Sequence, residues 1–125
     1  MKVGKIVEFD SAHWLPGHAQ CGNLHGHRFR LEVEVEGPME HGMVIDFPDL
    51  KKGIEFSTEG FDHGCLNDIV EFPTAENLIL RVLWRISSYL EVSHPKIKVT
   101  RLKLWETPTN YALWEQENNG SKKEQ

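Results

Sequence analysis

Residues 21–36, CGNLHGHRFRLEVEVE, contain the most regular pattern of the chain. From Phe29 to Val35 every second residue is apolar, and the residues between them are charged. This alternation predicts a β-strand with one buried and one exposed face. His25 and His27 stand two positions apart at the head of that strand, so their side chains share one face, with Cα atoms about 6.5–7 Å apart. The stretch therefore predicts a sheet together with a pair of converging histidines.

A second strand is predicted from Val3 to His13, and it ends on a third histidine. Hairpin pairing of the two strands would bring His13 beside His25 and His27. Imidazoles at this spacing can bind one zinc ion with bonds of about 2.0–2.1 Å, and three histidines leave one tetrahedral position open, as in catalytic sites. An H-x-H pair alone is more often two exposed or core histidines, so that interpretation stays open. Three other histidines have no neighbours that support a function and are interpreted as ordinary residues: His18, His41 and His94.

Cys21 precedes the histidine pair by four residues and admits two interpretations. It could be a fourth zinc ligand that closes a structural site. It could instead be a free thiol whose pKa is lowered by a nearby cation, suited to proton abstraction or nucleophilic attack. Spacing does not decide between them. The other cysteine, Cys65, is interpreted as a small buried apolar residue, since two cysteines do not make a disulfide framework.

The middle of the chain predicts helices. After an extended piece at Val44–Phe47, a short helix is predicted to open after Pro48. The stronger helix follows Thr74, a predicted N-cap, and Glu76 suits the positive end of its dipole. Its apolar stripe has helical spacing and consists of Ala75, Leu78, Ile79, Val82, Ile86, Tyr89 and Leu90.

Two further strands are predicted at Lys96–Glu106 and Asn110–Glu115. In the first of them the apolar parity changes between Val99 and Leu102, which predicts a β-bulge or a change of buried face. Two strands, a helical middle and two more strands predict an α+β fold, with a four-stranded antiparallel sheet and helices on one face. The open edges of so small a sheet must be paired or blocked, and oligomer formation is one route.

Length and charge limit the possible functions. The chain has 125 residues and a formal charge of −5. This length predicts one domain, residues 1–116, and the polar residues 117–125 are predicted to form a disordered tail. No basic stripe indicates a nucleic-acid partner, and no apolar run reaches membrane-spanning length. The N-terminus lacks the apolar core of a signal peptide, which predicts a cytoplasmic protein.

Two further motifs contain residues suited to chemistry. Asp62 and His63, in FDHGCLND, could be ordinary turn residues, or the carboxylate could orient an imidazole that transfers protons. Glu106, in KLWETPTN, could be a solvated strand-end residue. It could also accept two parallel N–H donors, such as those on the 2-amino-4-oxopyrimidine edge of guanine or a pterin.

Taken in order, the motifs FDSAHWL, CGNLHGH, GMVIDFPDLKK, FDHGCLND, PTAEN and WETPTN resemble those of the 6-pyruvoyltetrahydropterin and 6-carboxytetrahydropterin synthase family. The resemblance runs from about residue 5 to 116. It implies a tunnelling fold, whose subunits assemble into a barrel, with a hexamer favoured over a tetramer and active sites at subunit interfaces.

The resemblance also implies roles for individual residues. His13, His25 and His27 match the zinc ligands of the family. Cys21, Asp62 and His63 match its catalytic set, Glu106 matches the pterin-anchoring glutamate, and Thr74 matches a threonine of the pterin pocket. Zinc would act as a Lewis acid on the substrate side chain while Cys21 abstracts carbon-bound protons and the Asp62–His63 pair returns them elsewhere.

Among the members of this family, the short C-x3-H-G-H spacing is most similar to the bacterial and archaeal 6-carboxy-5,6,7,8-tetrahydropterin synthases. That similarity implies conversion of 7,8-dihydroneopterin triphosphate to 6-carboxytetrahydropterin, with release of acetaldehyde and triphosphate, on the route to queuosine and other 7-deazaguanines. Two alternatives remain. One is a 6-pyruvoyltetrahydropterin synthase, which eliminates triphosphate and keeps the three-carbon side chain. The other is a non-catalytic zinc module with Cys21 as the fourth ligand.

Overall fold

The computed structural model describes residues 1–117, and most of the predicted tail lies outside them. The elements are strands β1 (Lys2–His13) and β2 (His25–Glu36), helix α1 (Phe47–Ser57), strand β3 (Gly64–Cys65), a 3-10 turn (Leu66–Asp68), helix α2 (Ala75–Ser93), and strands β4 (Lys98–Trp105) and β5 (Tyr111–Glu115). No described helix is both long and apolar enough to cross a membrane.

The strands form one sheet in the order β3-β1-β2-β4-β5. The prediction of four strands was therefore wrong by one. The additional strand, β3, is only two residues long and pairs in parallel with Ser11 and Ala12 of β1. Two residues are too few for any alternation to show in the sequence, so this strand could be found only from the contacts of the folded chain. All other pairings are antiparallel, as predicted.

One face of the sheet is covered by both helices and contains the core. The alternating apolar residues of β2, from Phe29 to Val35, are essentially inaccessible. They pack in one cluster with the buried side of α2, whose predicted stripe is buried apart from the half-exposed Tyr89. Thr74 caps α2 as predicted, because its hydroxyl accepts a hydrogen bond of 3.1 Å from the Asn77 N–H.

Strand β4 contains the predicted bulge. Arg101 pairs with Glu34 and Val99 pairs with Val35, so Thr100 is an extra residue in β4. Its side chain is buried, and its hydroxyl donates a hydrogen bond of 2.9 Å to the Glu34 carboxylate. The extra residue allows Val99 before it and Leu102 after it to face the same core, despite their opposite parity in the sequence.

The prediction of an extended piece at Val44–Phe47 was wrong. This segment makes only a bend before the helix, next to an isolated bridge between Glu40 and Met43. Helix α1 begins at Phe47, one residue before Pro48, with Asp46 as its N-cap. Proline lacks an N–H group and fits the first turn of a helix, where that group would have no intrahelical partner.

Candidate active site

Three histidines meet where β1 ends and β2 begins. The register of the hairpin pairs His13 with His25 and Ser11 with His27. The imidazole centroids are 4.6 Å apart for His13 and His25, 5.2 Å for His13 and His27, and 4.8 Å for His25 and His27. One ring nitrogen from each lies within 4.8 Å of the others. Hairpin pairing thus brings the three imidazoles together, as the sequence predicted.

Backbone carbonyls fix the tautomer of two of these rings. His13 Nδ1 lies 2.9 Å from the Pro73 carbonyl oxygen, and His25 Nδ1 lies 2.7 Å from that of Asn23. A carbonyl only accepts hydrogen bonds, so Nδ1 carries the proton in both rings and Nε2 keeps a free lone pair. Histidines that bind metals are oriented in the same way by their second nitrogen.

Two Nε2 atoms of the cluster, those of His13 and His27, are buried and make no hydrogen bond. A buried polar atom without a partner costs about 1–3 kcal/mol, so such atoms call for an explanation. A cation held between the rings would satisfy both. The donor set, its tautomers and these two atoms therefore fit a metal ion that prefers imidazole ligands.

The charge state of His27 favours metal binding as well. Burial lowers the pKa of His27, and the neighbouring His13 and His25 lower it further, against the opposing effect of Glu106. A neutral imidazole is the form that binds metals, so metal binding at His27 would need to displace little or no proton at neutral pH.

Glu106 follows β4 and lies beside the histidine cluster. Its Oε1 is 3.4 Å from His27 Nε2, without the alignment of a hydrogen bond. The turn is held by the Glu106 N–H, which donates to the Asn110 carbonyl, and by Thr107, whose hydroxyl accepts from the Asn110 N–H. Glu106 and His27 both line an open cleft of about 610 Å³, a volume within the range of small-molecule sites.

Asp62 and His63 form an ordered pair in the loop before β3. Asp62 accepts a hydrogen bond of 3.0 Å from the Asp10 N–H, and its other oxygen lies 3.0 Å from His63 Nδ1. The hydrogen bond from Asp10 and then that with His63 lower the pKa of Asp62, which keeps the carboxylate ionised. The His63 N–H also donates to the Asp10 carbonyl, at a backbone φ of 56°. His63 Nδ1 is thereby held as a donor, and Nε2 is left for other chemistry.

A second cleft, which Glu106 does not line, joins His63 to the histidine cluster. His27 and His63 line one open cleft of about 460 Å³, together with Gly26 and Arg28. The side chain of His63 is 78% exposed, in contrast to His13, which is fully buried. The structure therefore places one histidine of the cluster, His27, and the exposed His63 on the same cleft.

Cys21 and Thr74 take no part in the histidine cluster. Within residues 1–117, no cysteine thiol joins the three histidine nitrogens. Cys21 is a free, half-buried cysteine in the loop between β1 and β2. Thr74 follows Pro73, whose carbonyl orients His13, and its hydroxyl oxygen accepts the N-cap bond of α2. This arrangement does not support a closed site with Cys21 as the fourth ligand.

Two residues that position the site were missed in the sequence. Pro73 acts through its backbone carbonyl, which every residue has, so no sequence signal could have identified it. Asn67 accepts from the Trp14 N–H at 3.0 Å and donates to the Trp14 carbonyl at 2.9 Å. These two hydrogen bonds connect the residue after His13 to the segment that follows His63. Its position in FDHGCLND, four residues after His63, was the available signal.

Comparison with known proteins gives a consistent family. The model of the family described as 6-pyruvoyl tetrahydropterin synthase matches residues 2–117. A protein of Archaeoglobus fulgidus, named provisionally as a 6-carboxy-5,6,7,8-tetrahydropterin synthase, is 39% identical over 113 residues, which cover 90% of this chain and 93% of the relative. A dihydroneopterin monophosphate aldolase of Pyrococcus furiosus is 42% identical over 100 residues, covering 80% and 84%.

The fold is shared with a solved structure of a member of that family. The 6-pyruvoyl tetrahydropterin synthase of Caenorhabditis elegans superposes with a TM-score of 0.79 at 24% identity, covering 94% of this chain and 96% of the other. At this level of identity the likeness concerns the fold alone.

Proposed function

The chain belongs to the 6-pyruvoyl tetrahydropterin synthase family, and from that premise we propose that it is a zinc-dependent 6-carboxy-5,6,7,8-tetrahydropterin synthase. The reaction converts 7,8-dihydroneopterin triphosphate and water to 6-carboxytetrahydropterin, acetaldehyde and triphosphate, a step on the route to queuosine and other 7-deazaguanines. The observation that carries the proposal is the histidine cluster, in which the buried Nε2 atoms of His13 and His27 make no hydrogen bond and that of His27 lies beside Glu106. Curated relatives with this name support the choice of product.

His13, His25 and His27 would hold the zinc ion through Nε2, and three protein ligands leave one position open for a substrate oxygen. When bound, zinc supplies a Lewis acid that acidifies the substrate side chain. The carbonyls of Pro73 and Asn23 keep the Nδ1 protons of His13 and His25 engaged, which orients these rings before any ligand arrives.

Glu106 would bind the pterin ring. An ionised carboxylate can accept two parallel hydrogen bonds, from the 2-amino group and the ring N–H of a pterin. This geometry favours a ligand edge with two donors over an edge that presents an acceptor. Its place beside His27, at the cleft that both line, would set the ring close to the proposed zinc ligands. Thr74 would contribute from the start of α2, since the hydroxyl that accepts from Asn77 still has its own proton to donate.

Cys21 and the Asp62–His63 pair would move protons. The Cys21 thiolate takes a proton from a side-chain carbon of the substrate. His63 exchanges a proton through Nε2, while Asp62 holds the Nδ1 proton and stabilises the imidazolium that forms. A lowered pKa at Asp62 suits this role, because the carboxylate must remain charged when His63 is protonated.

A homo-oligomer, with a hexamer favoured, would complete the site. Strand β3 pairs with only Ser11 and Ala12 of β1, so the outer edge of β1 from Lys2 to Asp10 lacks a strand partner within the described chain. Within that same part of the chain, β5 pairs on one side only. Edges of this length favour pairing with other subunits in a barrel. A neighbour seated near the edge of β1 would cover the exposed His63 and exclude water from the cleft.

A second candidate function is that of a dihydroneopterin monophosphate aldolase. The Pyrococcus furiosus relative with this name is 42% identical over 100 residues, against 39% over 113 residues for the Archaeoglobus fulgidus protein. The same metal ligands and proton-transfer groups could serve either reaction, and the number of phosphates on the substrate separates them.

Product analysis tests the proposal. The zinc-loaded protein is incubated with 7,8-dihydroneopterin triphosphate and, separately, with the monophosphate, and products are identified by mass. We expect 6-carboxytetrahydropterin, acetaldehyde and triphosphate from the triphosphate. Retention of the three-carbon side chain would identify a 6-pyruvoyltetrahydropterin synthase, and turnover of the monophosphate alone would identify the aldolase. Bound zinc without turnover of either compound would leave only the zinc-binding module.

A further inference from the structure

We infer that His18 is a positioning residue for Cys21, an inference that rests on the proposed catalytic role of that thiol. The sequence offered no reason to single out His18. In the structure its ring is exposed, yet its Nδ1 accepts two backbone hydrogen bonds, from the Cys21 N–H at 2.9 Å and from the Gln20 N–H at 3.2 Å. A ring nitrogen that accepts carries no proton, so the His18 proton sits on Nε2.

The remaining backbone group of Cys21 is bound within the same loop. Its carbonyl accepts a hydrogen bond of 2.7 Å from the Leu15 N–H. The Leu15 carbonyl in turn accepts from the His18 N–H at 3.0 Å. Both polar backbone groups of Cys21 are therefore satisfied by residues 15 and 18 of its own loop, without help from any strand or helix.

Gly22 closes this arrangement by close packing. A Cβ atom at Gly22 would lie 2.6 Å from the His18 carbonyl oxygen, a distance that real Cβ contacts do not reach. The backbone after Cys21 is thus pressed against the backbone of His18. The loop is therefore held by backbone contacts among residues 15, 18, 21 and 22, and His18 is the residue that contributes its side chain.

This construction matters because Cys21 lies in a loop, where its backbone hydrogen bonds come from residues 15 and 18. A loop residue ordinarily keeps backbone freedom, and a proton-transfer group that is displaced by about 1 Å can lose about 100-fold in rate. The histidine cluster is fixed by two paired strands, whereas the Cys21 N–H is held by the His18 acceptor. His18 would act only through Cys21, without touching the substrate.

The test compares two substitutions at this position. His18→Ala removes the acceptor, whereas His18→Asn offers a side-chain oxygen that can accept the same N–H groups two and three residues ahead. His41→Asn, at an exposed histidine outside the loop, is the control. For His18→Ala we expect kcat to fall by about 10- to 100-fold with little change in KM, and His18→Asn should recover most of the loss. Zinc content and melting temperature should match those of the parent protein in all three variants.

A readout without turnover separates this inference from the proposed function. Hydrogen exchange of the Cys21 amide should be about 10-fold faster or more in His18→Ala and near the parent rate in His18→Asn. Unchanged Cys21 exchange in His18→Ala would overturn the inference, whatever the enzyme does. Equal losses of kcat in the Ala and Asn variants would also overturn it, because the acceptor would then be irrelevant. A protein that binds zinc but converts no pterin would refute the proposed function. Hydrogen exchange of the Cys21 amide would then still test whether His18 positions Cys21.

Discussion

The two halves of the candidate site are built in different ways. The histidine cluster is anchored on paired strands, and its first member, His13, is fully buried. Cys21 and the Asp62–His63 pair lie on loops, and the side chains of that pair are 59% and 78% exposed. The difference indicates that the positions of the three histidines are set by strand pairing, whereas Cys21, Asp62 and His63 depend on hydrogen bonds within their loops and on what covers them.

Loss of a strand-anchored ligand should have the largest effect. In His27→Ala a two-histidine site remains, so we expect most of the zinc and essentially all turnover to be lost. Metal content per subunit and activity are measured on the same sample. His94→Ala, at a histidine outside the cluster, should keep both. Full zinc occupancy in His27→Ala would show that the strand-anchored half is not the metal site.

Replacement of a loop group should affect turnover without affecting the metal. In Cys21→Ala we expect activity to fall by about 10²–10⁴-fold, the range of a proton-transfer group, with zinc and fold retained. Cys65→Ala is the matched control. Alkylation near neutral pH should also be faster at Cys21 than at Cys65. Combined loss of zinc affinity and stability in Cys21→Ala would place the thiol among the ligands and erase the distinction between the halves.

A substitution beside the strand-anchored half should weaken binding. Glu106→Gln keeps the size of the side chain but replaces one of its two acceptor oxygens with an NH2 group. That group is a donor and would face the donors of the pterin. A hydrogen bond to a charged group contributes about 1.5–3 kcal/mol, so pterin affinity should fall by about 10–150-fold. Equilibrium binding of a pterin to the zinc-loaded protein measures it. Unchanged affinity would mean that Glu106 serves only its contact with His27.

The smallest effect is expected at the start of α2. Thr74→Ala removes the N-cap and should lower the free energy of unfolding by about 0.5–2 kcal/mol, whereas Thr74→Ser keeps the cap. Chemical denaturation compares the two variants. If Thr74 also contacts the pterin, Thr74→Ala should raise KM as well, and Ser should restore it. A change in KM for both variants would indicate that the threonine methyl group, rather than the hydroxyl, matters.

Features that depend on side-chain burial could be predicted from the sequence. The alternation in β2, the apolar stripe of α2 and the parity change at Thr100 each record which side chains face the core. The meeting of the three histidines follows from the same periodicity, together with hairpin pairing. The assignment of these histidines to zinc remains a prediction, as do the roles of Cys21, Asp62, His63, Glu106 and Thr74.

Features that depend on backbone groups could not be predicted. Strand β3, the Pro73 carbonyl and the acceptor role of His18 all rest on N–H and C=O groups that look alike at every position. Their partners are set by the path of the chain in space, which leaves no period in the sequence. Asn67 is an intermediate case. Its amide side chain in the sequence indicates a hydrogen-bonding residue, but not that its partner is the backbone of Trp14.

The hydrogen bond between His13 and Pro73 joins residues sixty positions apart, one in the first strand and one at the entrance to α2. The β1–β2 hairpin alone can gather three imidazoles, but the ring of His13 acquires its fixed tautomer only when the helical layer docks on the sheet. Metal affinity and the docking of α2 are then linked equilibria, so each must strengthen the other. We therefore expect removal of the metal by a chelator to lower the melting temperature. Large-to-small substitutions in the α2–sheet interface, away from the three histidines, should in turn lower the affinity for zinc.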